Sequence, residues 1–232
     1  MKNPQLCIIV TIVSKIGIFL TIFSLISCVS RPVPAQVEPT PAVTTGDFQD
    51  DEIQCGSEAF PMVTPGATVM LIGDSLAVGM EGKFISLARK SGYVPVTHVV
   101  TGTSIFHWMK WIKGDLEKNR PELVVVSLGT NDAIIYDRVK KNAHLYGEFT
   151  KIVEDSGAVL VWLGPPDITL KRIPKISETR EIIKKSAMNY FDSEKFERPM
   201  GGDGIHLTAS GYSRWMTSAW DWMVDRNILA KM

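Results

Sequence analysis

Cysteine is scarce in this 232-residue chain: Cys7, Cys28 and Cys55 are the only three, and all precede residue 66, where a folded domain becomes readable. There is no CxxC pair and no zinc-type spacing, and the four histidines (His98, His107, His144 and His206) do not stand at metal-ligand intervals. Neither a disulfide framework nor a metal site is therefore implied, and no cofactor is expected. Net charge is lacking too. The 25 basic and 25 acidic residues cancel to zero, which argues against a nucleic-acid binder and gives no hint of an acidic partner. Long apolar runs are missing: Ile16–Ile26 spans only 11 residues, whereas a membrane-crossing helix needs about 20. Stretching it to that length would bury Lys15, at a cost of roughly 2.5–3.5 kcal/mol. No internal repeat is evident. What remains, 45% apolar and 22% charged residues, suits one globular domain of about 165 residues, enough for a single sizeable core.

The stretch before residue 66 reads as an address and a tether. Lys2 and Lys15 supply a positive start and Ile16–Ile26 an apolar core, so residues 1–27 read as an export signal, with a spanning anchor as the rival. Leu25-Ile26-Ser27-Cys28 resembles the lipobox of bacterial lipoproteins. The resemblance implies that Cys28 becomes the first mature residue, carries lipid and ties the protein to a membrane; an ordinary signal with an incidental Cys28 is the alternative. Val29 follows, and no aspartate suggests inner-membrane retention, so the expected address is the cell envelope, as an outer-membrane lipoprotein on its periplasmic or surface face. Residues 28–65 contain Pro32, Pro34, Pro39, Pro41, Pro61 and Pro65 among Thr, Val, Ala and Gln, a composition that reads as an extended spacer. Cys55 lies within it, read as functionally silent.

Over residues 66–232, short apolar runs alternate with longer amphipathic ones. Strands are expected at 67–72, 95–100, 122–128 and 158–163, with a short fifth near Tyr190 and Phe191. Helices are expected at 76–91, 105–118, 138–156, 175–188 and 208–226. Leu123-Val124-Val125-Val126 shows no polar alternation, the pattern of a parallel strand covered on both faces. Strand–helix alternation then implies right-handed crossovers and an α/β sheet with helices on both sides. In such sheets, sites form beyond the carboxyl ends of the strands. Ser75, Gly102, Asn131 and Gly164 each follow a strand, and Asp203 and His206 precede the last helix, so all should converge on one rim.

These residue types make chemical sense together. A serine hydroxyl is a poor nucleophile until a base takes its proton. Histidine suits that role near neutrality, and a carboxylate usually holds its ring in one tautomer. Asp203 and His206, three residues apart, make such a pair locally. A developing oxyanion needs fixed donors; the backbone N–H groups of Ser75 and Gly102 and the side-chain amide of Asn131 are the candidates.

Gly73-Asp74-Ser75-Leu76, then Gly102, then Gly129-Thr130-Asn131-Asp132, then Asp203-Gly204-Ile205-His206 resemble, in order, the blocks of the SGNH (GDSL-type) hydrolases. The resemblance spans residues 67–215; the second block, Thr101-Gly102-Thr103-Ser104, carries only a glycine. It implies a flavodoxin-like three-layer α/β/α sandwich of about five parallel strands, with Ser75 as nucleophile, Asp203 and His206 as its triad partners, and Ser75, Gly102 and Asn131 as the oxyanion hole. It also implies ester hydrolysis without a metal. The expected partner is an ester substrate, first an O-acetylated carbohydrate of the cell envelope. A lysophospholipase or thioesterase of longer acyl specificity is the second reading, and a carbohydrate-binding relative without turnover the third.

Other residues have plainer expectations. Asp74 and Asp132 are read as structural, bonding loop N–H groups. His98 is read as packed or at a sheet edge, and His107 and His144 as solvent-facing on helices. Trp108 and Trp111 are read as helix packing rather than cleft lining, and Trp215, Ala219, Trp222 and Met223 as one core face of the last helix. The charges from Lys171 to Lys185 are read as a solvated surface.

Overall fold

Five parallel strands form one sheet in the order β2-β1-β3-β4-β5: β1 Thr68–Gly73, β2 Val94–Val99, β3 Leu123–Ser127, β4 Val159–Leu163 and β5 Tyr190–Phe191. The helices are α1 Ser75–Lys90, α2 Ile105–Asn119, α3 Thr130–Ile134, α4 Ala143–Asp155, α5 Ile176–Ser186 and α6 Ala209–Asp225. The structure, a computed structural model, describes residues 61–135, 138–168, 175–195 and 199–231. The stretch read as an export signal, Cys28 and Cys55 lie outside the described residues. The strand order and layering are those of a flavodoxin-like three-layer sandwich, as expected.

Each central strand is buried on both faces, so odd and even residues feed different cores. Val69, Leu71, Val125 and Val161 face α1 and α6, where Phe84, Trp215, Met216, Ala219 and Met223 are packed. Met70, Ile72, Val124, Val126 and Trp162 face α2, α4 and α5, with Trp108, Phe149, Val153 and Ile183. Burying each such side chain contributes roughly 1.5–3 kcal/mol. This two-sided burial makes β1, β3 and β4 uninterrupted apolar runs. Trp215, Ala219 and Met223 are core residues, but Trp222 is half-buried and Trp220 takes the buried place beside Phe84 and Tyr93. Trp108 is fully buried and its indole N–H donates to the Thr103 hydroxyl. His98, on the edge strand β2, pairs with Asp115 at 2.7 Å and packs on Trp108 and Trp111.

Four further expectations need correction. Residues 138–142 are turn rather than helix: the Arg138 N–H donates to the Asp132 carbonyl, Asn142 N–H to that of Arg138, and α4 starts only at Ala143. Arg180 is not solvated; it is buried, donating from Nε to the Pro165 carbonyl and pairing with Asp167 at 2.6 Å and Glu194 at 3.3 Å. Both acidic partners lie outside its helix, so helical charge patterning cannot reveal the burial. His107 is half-buried, because it is the third residue of α2 and its Nδ1 accepts from the backbone N–H of Ser104, closing a capping box. His144 is exposed. Val63, within the stretch read as spacer, is buried and bonded on both sides to the C-terminal residues Ile228 and Ala230.

Candidate active site

The chain leaves β1 to its β2 neighbour on one side and returns through β3 on the other, so the carboxyl ends of β1 and β3 flank a switch point of the sheet. Gly73 ends β1 with φ of +154°, and a Cβ there would meet the Ser127 carbonyl oxygen at 2.2 Å. Only glycine lets the two strand ends close so tightly. Asp74 then caps α1: its Oδ1 accepts from the Leu76 N–H at 2.9 Å. Ser75 is the first residue of α1 and half-buried. Its N–H is among those at a helix start that have no intrahelical acceptor.

His206 comes to Ser75 from 131 positions away. It belongs to a tight turn in which Gly201 N–H donates to the His206 carbonyl at 2.6 Å and Met200 bridges Leu207. Asp203 organises that turn. Its Oδ1 accepts from the N–H groups of Ile205 and His206 at 2.9 Å each, and its Oδ2 faces His206 Nδ1 at 2.6 Å. A carboxylate only accepts, so Nδ1 carries the proton and Nε2 presents its lone pair. That Nε2 lies 2.9 Å from Ser75 Oγ. The bond to His206 and the two backbone N–H groups hold the Asp203 carboxyl well below the usual carboxylate range.

What delivers the turn to Ser75 is the contact of α1 with α6. Thr208 caps α6, accepting from the Gly211 N–H. One turn on, the Tyr212 ring covers Gly79, where a Cβ would come within 2.3 Å of ring carbons. Ser75 to Gly79 and Thr208 to Tyr212 are both four-residue steps, so this contact stands one turn from the Ser75–His206 pair. Glycine inside a helix is the local signal of such an approach.

The remaining candidates lie on the other side of Ser75. Gly102, with φ of +77°, is half-exposed in the loop leading to α2. Asn131 is buried in α3, a five-residue helix too short to show periodicity in the sequence. Its side-chain N–H₂ donates to the Thr103 carbonyl at 2.8 Å and to Asp74 Oδ2 at 3.3 Å. It is thus tied to the Gly102 loop and to the residue before Ser75. Gly129, at φ +110°, precedes α3 and lies close against α5: a Cβ there would strike Thr179 at 2.7 Å. Asp132, fully buried, accepts from the Ile105 N–H at 3.1 Å and from the Asn142 amide at 3.3 Å. Asp74 and Asp132 therefore bond N–H groups in the first turns of α1 and α2 rather than loop N–H groups as expected, and Asp74 bonds the Asn131 amide as well. Burial pushes Asp74 up to about 7, against the Leu76 N–H, with the charge of Asp132 adding to the rise. Burial likewise raises Asp132. Among the described residues, no cluster of three His, Cys, Asp or Glu is arranged to hold a metal ion.

The geometry thus unites Ser75, His206 and Asp203 in one hydrogen-bonded line, with Asn131 and the Gly102 loop beside them. Thr103, Gly79 and Tyr212 are contributors that sequence reasoning missed. Several solved structures share this fold. An acetyl xylan esterase aligns with 18% identity over 67% of this chain and 98% of its own, at a TM-score of 0.58. A lipase/acylhydrolase from Enterococcus faecalis aligns with 15% identity over 69% and 96%, also at 0.58. An esterase from Pseudoalteromonas sp. inhibited by monoethylphosphonate aligns with 16% identity over 69% and 98%, at 0.56. At these identities the likeness is one of fold. No curated protein matches the chain. A family model matches residues 68–197, more than half of the chain, including Ser75, Gly102 and Asn131 but ending before Asp203 and His206. By that match, the chain belongs to the family described as "Protein of unknown function (DUF459)".

Proposed function

We propose that this protein is a serine ester hydrolase of the SGNH type. The observation that carries the proposal is the line Ser75 Oγ–His206 Nε2–Nδ1–Asp203, at 2.9 Å and 2.6 Å. Ser75 gives its proton to Nε2 as its oxygen attacks the ester carbonyl. Asp203 stabilises the imidazolium that forms. The N–H groups of Ser75 and Gly102 and the Asn131 amide receive the oxyanion, the amide by sharing with it the proton of its longer, 3.3 Å bond, which stays anchored on Asp74. Collapse expels the alcohol, which takes the proton from Nε2, and a water activated by the same nitrogen frees Ser75 and the acid.

The favoured substrate is an O-acetyl ester on a carbohydrate, in keeping with fold neighbours named as acetyl xylan esterases and with the lipobox-like Cys28, which would hold the enzyme in the cell envelope. The half-exposed His206 and Asp203 side chains, 41% and 50% accessible, suit an ester carried on a bulky polymer. One observation favours the longer-acyl reading instead. Three exposed apolar residues, Val78, Phe106 and Ile135, stand three or four positions beyond Ser75, Gly102 and Asn131. A binding module without turnover would be expected to lack the close Ser75–His206 contact. The deciding experiment is hydrolysis of 4-nitrophenyl acetate, octanoate and palmitate, and acetate release from acetylated xylan and peptidoglycan, by the full chain and by Ser75→Ala. Fastest turnover of acetyl esters is the expected result. Preference for octanoate would favour the second reading, and equal rates for both proteins would overturn the hydrolase proposal.

A further inference from the structure

Among the described residues, Asp74 is the one buried carboxylate that bonds the Asn131 side chain, and its bonding is unlike that of a simple helix cap. It is 1% exposed. One oxygen accepts from the Leu76 N–H and the other from Asn131 Nδ2. A carboxylate can serve two donors this way; a carboxamide cannot, because either orientation turns an N–H₂ toward one of them. The Asn131 amide in turn has only two protons, one given to Thr103 and one to Asp74. Its aim beside Ser75 is thus set by two acceptors, of which only Asp74 can change its charge.

We propose that Asp74 is a positioning residue whose ionised carboxylate aims the Asn131 amide at the reacting carbonyl, so that protonation of Asp74 slackens the oxyanion arm and slows turnover. The proposal rests on the hydrolase reading for its effect on rate, but not for the coupling of Asp74 to Asn131. The groups that act on Asp74 come from four elements. Asp132 on α3 opposes its ionisation, and His206 before α6 favours it. Tyr146 on α4 and Tyr212 on α6 are within its electrostatic reach, and both stay protonated because burial raises them further. With burial pushing the carboxyl up to about 7, the change of charge falls where an enzyme works. A protonated carboxyl keeps one good acceptor oxygen while its hydroxyl becomes a donor facing Asn131 Nδ2, so the second anchor of the amide is lost.

Two measurements on the full chain test this. The first needs no substrate. The side-chain ¹H–¹⁵N signals of Asn131, assigned by their loss in Asn131→Ala, are followed from pH 5 to 9. They should shift with a midpoint near neutrality in the wild type, and that step should be lost in Asp74→Asn, leaving only the smaller shift that the neighbouring Asp132 contributes. The second is the pH profile of kcat. The acid limb should need two protonations in the wild type and one in Asp74→Asn, and kcat at pH 8 should fall about tenfold or more with KM within about threefold. A wild-type Asn131 signal that ignores pH, or one that titrates equally in the variant, overturns the coupling. A titrating signal with the same one-proton acid limb in both proteins overturns the role in turnover. If no ester is hydrolysed at all, the hydrolase reading fails, and the signals still decide the coupling.

Discussion

Two aspartates approach Ser75 from opposite sides, and their surroundings drive them apart. Asp203 stands on a turn with its side chain 50% accessible, yet three N–H donors hold its carboxyl well below the usual range. Asp74 is sealed under α1 with two donors, and burial pushes it up to about 7. Water around Asp203 makes ionisation inexpensive, so hydrogen bonds decide. Around Asp74 the loss of water outweighs them. The comparison teaches that hydrogen bonds can hold a surface carboxylate in its charged form while burial pushes a hidden one toward its neutral form.

The comparison breaks first at Ser75, the proposed nucleophile. Ser75→Ala and His206→Ala should each lower ester turnover by roughly 10³-fold or more, measured with 4-nitrophenyl acetate; retained activity would mean that neither aspartate serves a triad. Asp203→Asn should cost up to about 10⁴-fold, because the amide still accepts from the backbone N–H groups but no longer enforces the Nδ1–H tautomer. Its pH–rate profile checks the tautomer, and thermal melting should show little change for so exposed a side chain.

Stability against pH sharpens the same contrast. The folded-state value of Asp74 lies above its unfolded one, so the native state binds that proton more tightly. Its contribution is therefore present at low pH and lost as pH rises from about 4 to about 7, on the order of a few kcal/mol. Asp203 is shifted the other way: what it adds is present above the ordinary aspartate value and lost as pH falls through its lower folded-state value. Urea midpoints of Asp74→Asn should accordingly fall less than those of the wild type between pH 5 and 8. Some slope should remain, because burial raises Asp132 in the same direction. A wild type that gains stability over that range would contradict the assignment.

Smaller effects probe the frame. Gly79→Leu collides with the Tyr212 ring and should cost roughly 1–3 kcal/mol. Circular-dichroism melts measure that loss, and reduced turnover should accompany it because His206 is moved away from Ser75. Phe106→Ala, at 45% exposure, should leave stability almost unchanged. If the apolar rim holds acyl chains, it should lower the octanoate-to-acetate rate ratio a fewfold.

Much of this was legible because burial leaves a periodic mark. Strands β1, β3 and β4 are covered on both faces and read as unbroken apolar runs, and α1, α2 and α6 are long enough to show their stripe. The turn Asp203-Gly204-Ile205-His206 was legible because its bonds are local. What escaped depends on partners remote in sequence or on elements too short to repeat. α3 is five residues long. Arg180 is buried only because Asp167 and Glu194 meet it. Asp74 reads as bonding loop N–H groups; it caps α1 instead, and its second oxygen answers to Asn131, 57 positions away.

The order of residue types along the chain, by itself, determined the layered α/β architecture, since hydrophobic period and glycine placement act over a few residues. It also determined that the serine, asparagine, aspartate and histidine would gather at the carboxyl ends of the strands, since parallel connections leave them no other edge. Only the tertiary structure decided the hydrogen-bonded line from Ser75 to Asp203 and the opposite fates of the two aspartates. Distance and exclusion of water are properties of the packed molecule, and no stretch of sequence contains them.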